Sequence, residues 1–551
     1  MKKYVTWVGR NVQGIRLNMA GRVGMGILQT GLGLAQVAVC KRFIDVTIRT
    51  GTDRDVVAGV VLLAGIILGG IVLRLTGYAM TIRARTRLVN GMKLRLFGLL
   101  MHRKLYGGKM MHSGDLVSRL EKDIDLVSDT VAALLPDMAV TCCKLGGAFL
   151  MLYALDSRLA WTLLLLTPPF LILGKLTARK LRSLTHDIRS QESLIQMTVQ
   201  EGLEHNDVIR AMGSTGWIMA QVKDMQRGLE AKVDRRTRFT VMARTVISSG
   251  FGLGYLLVFV WGGLMMRSGE ITMGTMIAFL QLAGQVQHPM LNLLNGVPQL
   301  IHTMAGVDRL AELEQLPAET ADTQSRPAKE EAATAPWGIR VSDVTFGYGD
   351  EGATVMKGFS HDFRPGTHTA VMGHTGVGKT TLFRLLLGLA EPQTGSITIY
   401  NEEGKTLEVN AGTRYYMTYI PQGNSLMSGT IRYNLLVARP DATDEMLRRA
   451  LHTAVADFVF DLADGMDTIV GERGCGLSEG QAQRIAIARG LLLTGSILLL
   501  DEISSALDES TERELFGRIF KACPQKTILL ITHRPEVAEI CDGKIFLDAR
   551  S

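Results

Sequence analysis

Six stretches in the first 300 residues are apolar over the thickness of a lipid bilayer, at roughly 22–45, 56–80, 132–155, 158–178, 243–267 and 271–297. A helical span needs about 20 mainly apolar residues. A backbone in hydrocarbon must satisfy its own hydrogen bonds, so runs of this length predict helices. Beyond about residue 300 the pattern changes to apolar and charged residues in short alternation, as in a soluble α/β domain. Two kinds of domain are therefore expected in one chain.

The net charge of +7 invites a nucleic-acid reading. The placement of the charges opposes it. Arg83, Arg85, Arg87, Lys93, Arg95, Arg103 and Lys104 follow the second run, and Lys175, Arg179, Lys180, Arg182 and Arg189 follow the fourth. Basic clusters beside apolar segments mark cytoplasmic loops, so no nucleic-acid partner is expected. With an even number of spans both chain ends lie on one side, and the basic connections make that side the cytoplasm.

Those two connections are far longer than ordinary loops. They carry helix formers with apolar spacing, as in Leu94, Leu99 and Leu100 or Leu194, Ile195 and Val199. They predict spans that continue as helices beyond the membrane and turn near Gly114-Asp115 and near Gly202–Asn206.

The residues after Met1-Lys2-Lys3 lack the short apolar core and cleavage site of a signal peptide. Tyr4, Val8, Val12 and Ile15 instead recur at helical spacing beside Lys3, Arg10 and Arg16, which suits a short helix on a membrane surface. The six cysteines contain no CxxC pair and suggest neither a zinc site nor a disulfide framework.

The sixth run carries a polar stripe. Gln281, Gln285, His288, Asn292, Asn295, Gln299 and His302 fall at steps of three and four, one face of a helix. A polar face avoids lipid. It lines a substrate pathway or hydrogen-bonds to neighbouring helices. Lys144 stands mid-span in the third run, with Asp137 two turns earlier on the same face. Lys144 either pairs with Asp137 or meets an anionic substrate. The expected division is a transmembrane domain over 1–311, a polar linker over 312–336 rich in Ala, Thr and Glu, and a soluble domain over 337–551.

Within that last domain, Gly373-His374-Thr375-Gly376-Val377-Gly378-Lys379-Thr380 matches G-x-x-x-x-G-K-[ST]. An apolar strand precedes it and a helical run beginning at Thr381 follows. Glycines let backbone N–H groups wrap phosphates at a helix N-terminus. Lys379 then reaches the β and γ phosphates, and Thr380 ligates Mg²⁺. Ile497–Leu500 reads as a buried parallel strand. It ends in Asp501, placed to hold Mg²⁺, and Glu502, placed as general base towards the attacking water.

Between these motifs stands Leu477-Ser478-Glu479-Gly480-Gln481, which resembles the LSGGQ signature of ABC transporters. Other parts of that family's pattern appear in order. Tyr348 resembles the aromatic that stacks on adenine. Gln422 resembles the Q-loop glutamine, which contacts Mg²⁺. Ser505-Ala506-Leu507-Asp508 resembles the D-loop, and His533 resembles the switch histidine at the γ-phosphate. Thr468–Gly474 resembles the exporter segment that touches coupling helices. Gly114-Asp115-Leu116 with Arg119, Leu120 and Asp123 resembles the first intracellular coupling region, and Gly269–Gly274 with Pro289 resembles the last span. Glu479 departs from the pattern, where glycine is commonest.

The resemblance implies an all-α six-helix transmembrane domain followed by an α/β P-loop NTPase (ABC ATPase) domain. It implies ATP and Mg²⁺ as cofactors. The implied ATP contacts are Tyr348, Gly373, His374, Thr375, Gly376, Val377, Gly378, Lys379, Thr380 and Thr381, completed by Ser478, Gly480, Gln481 and Asp508. The catalytic set is Glu502, His533 and Gln422, and the metal set is Thr380, Gln422 and Asp501. Each active site is shared between two subunits, so a second half-transporter is expected. Intact motifs favour a homodimer, although a competent half can also pair with a different partner in a heterodimer. The expected setting is the cell's inner (plasma) membrane, with the ATPase domain cytoplasmic and a small-molecule or lipid-like substrate. Gln281, Gln285, His288, Asn292, Asn295 and Lys144 are the substrate-pathway candidates. Export is the leading reading. An importer of the same fold, as for siderophores, and an ATP-gated channel or regulator are the alternatives.

Overall fold

Several of the apolar runs form helices longer than a bilayer requires. In the computed structural model, which describes residues 2–104, 113–319, 335–348, 354–423, 425–471 and 476–548, six long helices stand out among the described residues. They are α1 (Arg16–Arg42), α2 (Asp53–Leu100), α3 (Leu135–Leu155), α4 (Ser157–Glu204), α5 (Thr215–Arg267) and α6 (Met273–Gln315). At about 1.5 Å per residue, the 48 residues of α2 or α4 extend about 72 Å, more than twice the hydrocarbon thickness. Both therefore continue well past the membrane, as do the 53 residues of α5. Among the described residues, the segments Gln13–Thr47, Asp53–Leu100, Gly114–Leu155 and Thr215–Arg267 are long and apolar enough to cross a membrane. The other two expected runs lie on α4 and on α6, whose polar stripe dilutes its apolar character and which contains Pro289 and Pro298.

The chain divides into two units, residues 1–95 with 118–311, and residues 96–117 with 312–551. In the first, small residues set how closely helices approach. A Cβ on Gly26 of α1 would meet Val140 of α3 at 2.3 Å, and one on Gly147 of α3 would meet Leu34 at 2.7 Å. Val37, Leu152, Leu163, Val258, Phe279 and Leu282 form the core of this unit. Many other apolar side chains on α2, such as Val57, Val61, Leu68 and Leu75, stay exposed, the pattern of a face that meets lipid rather than water.

Polar pins fix the ends of the bundle. Asp45 accepts from the Thr272 hydroxyl at 2.6 Å and from the Gly274 N–H at 2.8 Å, capping the start of α6. Trp261 Nε1 donates to Asp156, whose other oxygen caps α4. Arg309 of α6 binds Asp123. Arg22 of α1 binds Asp137 of α3 at 2.7 Å and also donates to Thr81. Asp137 is therefore engaged by Arg22, and Lys144 has no pairing partner among the described residues. The N-terminal helix Lys2–Asn11 forms as expected, and its buried contacts extend to Trp7, which lay outside the apolar stripe.

The second unit is built on two sheets. β1 (Trp337–Gly347) and β2 (Thr354–Phe363) pair antiparallel, as do β1 and β4 (Thr394–Asn401), with β5 (Thr406–Glu408) at the edge. A parallel sheet takes the order β11 (Gly543–Leu547), β3 (His368–Gly373), β10 (Thr527–Ile531), β9 (Ile497–Asp501) and β6 (Met417–Ile420). β9 and β10 are buried along their whole length, as strands covered on both faces must be. A two-strand ribbon joins β7 (Gly429–Thr430) to β8 (Ile469–Val470).

Residues 96–117 group with this unit for a visible reason. Arg103 bridges Ala318, with Lys104 N–H donating to Pro317 O and Glu319 N–H to His102 O, both at 3.0 Å. Glu319 is in turn held by Arg414 at 2.8 and 2.9 Å, and Arg414 also donates to the carbonyls of Leu387 and Gly388. Lys104 pairs with Glu391. The expected linker is thus helical to Gln315 and strapped through Glu319, while 320–334 lie outside the described residues. Gly114 and Asp115, expected at a turn, lie instead in a helix that begins at Ser113, with 105–112 outside the described residues, and the turn near Gly202–Asn206 falls at His205, followed by a short helix, Asn206–Ala211.

Candidate active site

The phosphate-binding loop leaves β3 and enters α7 (Lys379–Leu386). Gly378 is the N-cap of α7 at φ +107°, and a Cβ there would lie 2.7 Å from Val355 Cγ1. No other residue type suits that position. His374, Thr375 and Gly376 form the exposed crest of the loop. Lys379 is buried, and its ammonium donates to Gly373 O at 2.9 Å and His374 O at 3.2 Å. Burial pushes its pKa down, opposed by the carboxylates of Glu502 and Asp501.

Asp501 ends β9 with 1% of its surface exposed. It accepts from Thr380 Oγ1 at 3.4 Å and Tyr419 OH at 3.2 Å. Burial raises its pKa against the effect of those two hydroxyls. A buried carboxylate beside a threonine hydroxyl is a hard-oxygen donor pair that fits Mg²⁺, and the cation would relieve the cost of burial. Tyr419 escaped the sequence reading, although it stands three residues before Gln422 at the end of β6.

Glu502 is the centre of the arrangement. It is one of the few non-glycine residues at positive φ, +49°, a backbone state that costs about 1–3 kcal/mol. Its N–H donates to Ile531 O at 3.1 Å, and its carbonyl accepts from Gln483 Nε2 at 3.3 Å. The strained turn aims the carboxylate between two partners. Gln422 Nε2 donates at 2.7 Å, and His533 Nε2 lies 2.9 Å from the other oxygen. His533 Nε2 is also 3.0 Å from Lys379 Nζ. The structure thus brings together Lys379, Thr380, Gln422, Asp501, Glu502 and His533, from four separate strand ends.

Tyr348 stands just beyond β1. Its hydroxyl meets Thr381 Oγ1 at 3.1 Å and accepts from Arg384 at 2.9 Å, which fixes the ring beside α7. Arg384 carried no signal in the sequence.

The signature residues form a second cluster. Ser478 caps helix α8 (Glu479–Leu491) in a reciprocal box, Gln481 N–H to Ser478 Oγ at 3.2 Å and Ser478 N–H to Gln481 Oε1 at 3.0 Å. A Cβ on Gly480 would come within 2.9 Å of Ala506 O, so glycine lets α8 rest on the segment Ser505–Asp508. Glu479 points to solvent, where its departure from glycine is accommodated. Asp508 caps the next helix by accepting from Thr511 N–H at 3.0 Å, and the bonds from Ser510 and Thr511 hold its pKa far below the carboxylate range. No hydrogen bond joins Ser478, Gly480, Gln481 or Asp508 to Lys379 among the described residues. Of Thr468–Gly474, residues 472–474 lie outside the described residues.

In the first unit, Gln281, Gln285 and Lys144 line one cavity. Asn292 is exposed on the same helix, and the side chains of His288 and Asn295 lie outside the described part of the molecule.

Comparison with known proteins agrees with this architecture. The description "ABC transporter transmembrane region" matches residues 23–290, and "ABC transporter" matches residues 356–505. YgaD of Bacillus subtilis, whose name assigns it provisionally to multidrug export, is 27% identical over 77% of this chain and 72% of its own length. The beta-(1→2)glucan export ATP-binding/permease protein NdvA of Brucella melitensis is 28% identical over 72% of this chain and 65% of its own. The mitochondrial potassium channel ATP-binding subunit of Homo sapiens is 28% identical over 81% of this chain and 61% of its own. The chain thus spans about two thirds of the length of these relatives. A bacterial Atm1-family ABC exporter solved with ATP bound shares the fold, with a TM-score of 0.81 over 97% of this chain and 94% of that one at 22% identity. With a helical membrane region matched ahead of a nucleotide-binding domain, the chain belongs to the ABC transporter family.

Proposed function

We propose that the chain is one half of a dimeric transporter that exports a substrate by hydrolysing ATP. The observation that carries this reading is Glu502, held in a strained backbone state with its carboxylate between Gln422 and His533. A general base needs such aim more than it needs stability. Glu502 takes the proton of the attacking water. Lys379 and the loop N–H groups bind the β and γ phosphates, and His533 contacts the γ-phosphate. Thr380, Asp501 and Gln422 would hold Mg²⁺, which would supply charge neutralisation on the phosphates. Tyr348 packs against adenine.

Ser478, Gly480 and Gln481 cap the nucleotide of a second subunit, with the N-terminus of α8 turned to its γ-phosphate. Asp508 positions the neighbouring turn. ATP holds the two ATPase domains together, and hydrolysis removes the contact that closed them. The two halves form a homodimer in the plasma (inner) membrane, the ATPase domains in the cytoplasm, and the six helices of each half alternate access to the polar cavity.

ATPase activity of the chain alone in a lipid nanodisc tests this, with E502Q as the blank. Turnover above the blank is the expected result. Bound ATP without turnover would instead assign the chain to a heterodimer. The kinship with a subunit named for a potassium channel favours one second reading, ATP-dependent gating. ATP-dependent currents across a planar bilayer would support it, and their absence alongside turnover would remove it.

A further inference from the structure

The cavity among α1, α3 and α6 has a volume of about 610 Å³ and an unusual lining. Lys144 of α3 faces Gln29, Thr30 and Gln36 of α1 and Gln281 and Gln285 of α6 across it. Among the described residues, no carboxylate lines it. Asp137, the acidic residue on the same face of α3, is engaged by Arg22 at 2.7 Å. Lys144 and the four glutamines have no hydrogen-bond or ion-pair partner among the described residues.

A cation on a membrane helix is costly unless something pairs with it, and the pairing group marks function. Each glutamine offers two donors and an acceptor, enough to satisfy carbonyl or hydroxyl groups in any orientation. We propose that this cavity takes an organic anion whose neutral part is rich in hydrogen-bonding groups. Lys144 meets the charge, and the glutamines solvate the remainder. The inference rests on the export reading for its biological meaning, and names the substrate class of that transporter. An anionic lipid headgroup and a water-soluble organic anion present the same chemistry.

Two dyes with one xanthene core separate charge from shape: carboxyfluorescein, an anion, and rhodamine 123, a cation. Fluorescence anisotropy measures their binding to the full chain in phosphatidylcholine nanodiscs without ATP, so the result is independent of turnover. Failure of the export reading shows as a chain that neither binds ATP nor turns it over above E502Q. Failure of this inference shows in the dyes alone. The wild-type chain is expected to bind the anion at least about tenfold more tightly than the cation, a difference one close charge contact supplies. K144Q removes that preference, K144E reverses it, and K144R, which keeps the charge and reports on folding, retains it. Equal binding of the two dyes, binding of neither, or a preference unchanged in K144Q overturns the proposal. Adding phosphatidylglycerol to the nanodisc identifies the source. Competition in the wild type but not in K144Q assigns the anion to the bilayer, and lack of competition assigns it to the aqueous phase.

Discussion

His533 Nε2 lies 2.9 Å from a Glu502 carboxylate oxygen and 3.0 Å from the Lys379 ammonium. One ring nitrogen cannot serve both. It donates to Glu502 only if protonated, and it accepts from Lys379 only if not. The two bonds are alternative tautomers, and the choice between them sets whether Glu502 is steered by histidine or left to Gln422. H533A is therefore expected to lower kcat by about 10²–10³-fold, the scale for losing one positioned donor. Nucleotide affinity, read by equilibrium binding, should change far less.

E502Q removes the proton acceptor and keeps the shape. Loss of a general base costs about 10²–10⁴-fold in turnover. The amide can still bond to Gln422, so ATP binding is expected to persist. Turnover within threefold of wild type would exclude Glu502 as the base.

Asp501 should show opposite effects on stability and activity. Its folded-state pKa is raised by burial, so the folded protein binds that proton more tightly than the unfolded chain. The charge therefore destabilises the fold above the folded pKa, and the penalty is relieved as pH falls through it. D501N is expected to raise the Tm of the Mg²⁺-free protein, by about 2–4 °C per kcal/mol recovered. The gain should shrink as pH falls. Mg²⁺-dependent turnover is expected to be lost in the same variant.

The Arg414 clamp predicts a local effect. The guanidinium satisfies Glu319 and two carbonyls, so R414A leaves several acceptors unpaired. A loss of about 1–3 kcal/mol follows, with faster proteolysis around 316–319. E319Q, which keeps one bond to Arg414, should lose less.

Asp45 caps α6 from another helix. Cap removal costs about 0.5–2 kcal/mol. D45A should lower stability in detergent by that amount, read as a lower Tm. G274A should lower it further, because its methyl would sit 2.5 Å from Lys41 O.

The nucleotide site was legible because its chemistry is written in short contiguous motifs. The loop Gly373–Thr380, the pair Asp501-Glu502 and His533 each follow an apolar strand, and the ends of parallel strands converge in space. Tyr419, Gln483 and Arg384 were invisible, because their partners are 82, 19 and 36 residues away and nothing local marks them. Nothing local marked Arg22, 115 residues from Asp137, so its capture of that carboxylate could not be anticipated and the role of Lys144 stayed open. The strap between 101–104 and 316–319 was hidden for the same reason. Neither segment alternates like a strand, and each is ordered by the other.

Glu502 joins the most constrained backbone of the site to its most important carboxylate. Glycine or asparagine at this position would relax the left-handed turn and abolish proton abstraction together. Silencing is therefore downhill in folding free energy, whereas regaining turnover is uphill. An asymmetric pair with one silent half lies a single comfortable substitution away from this chain, and selection for turnover must act continually to hold residue 502 where it is.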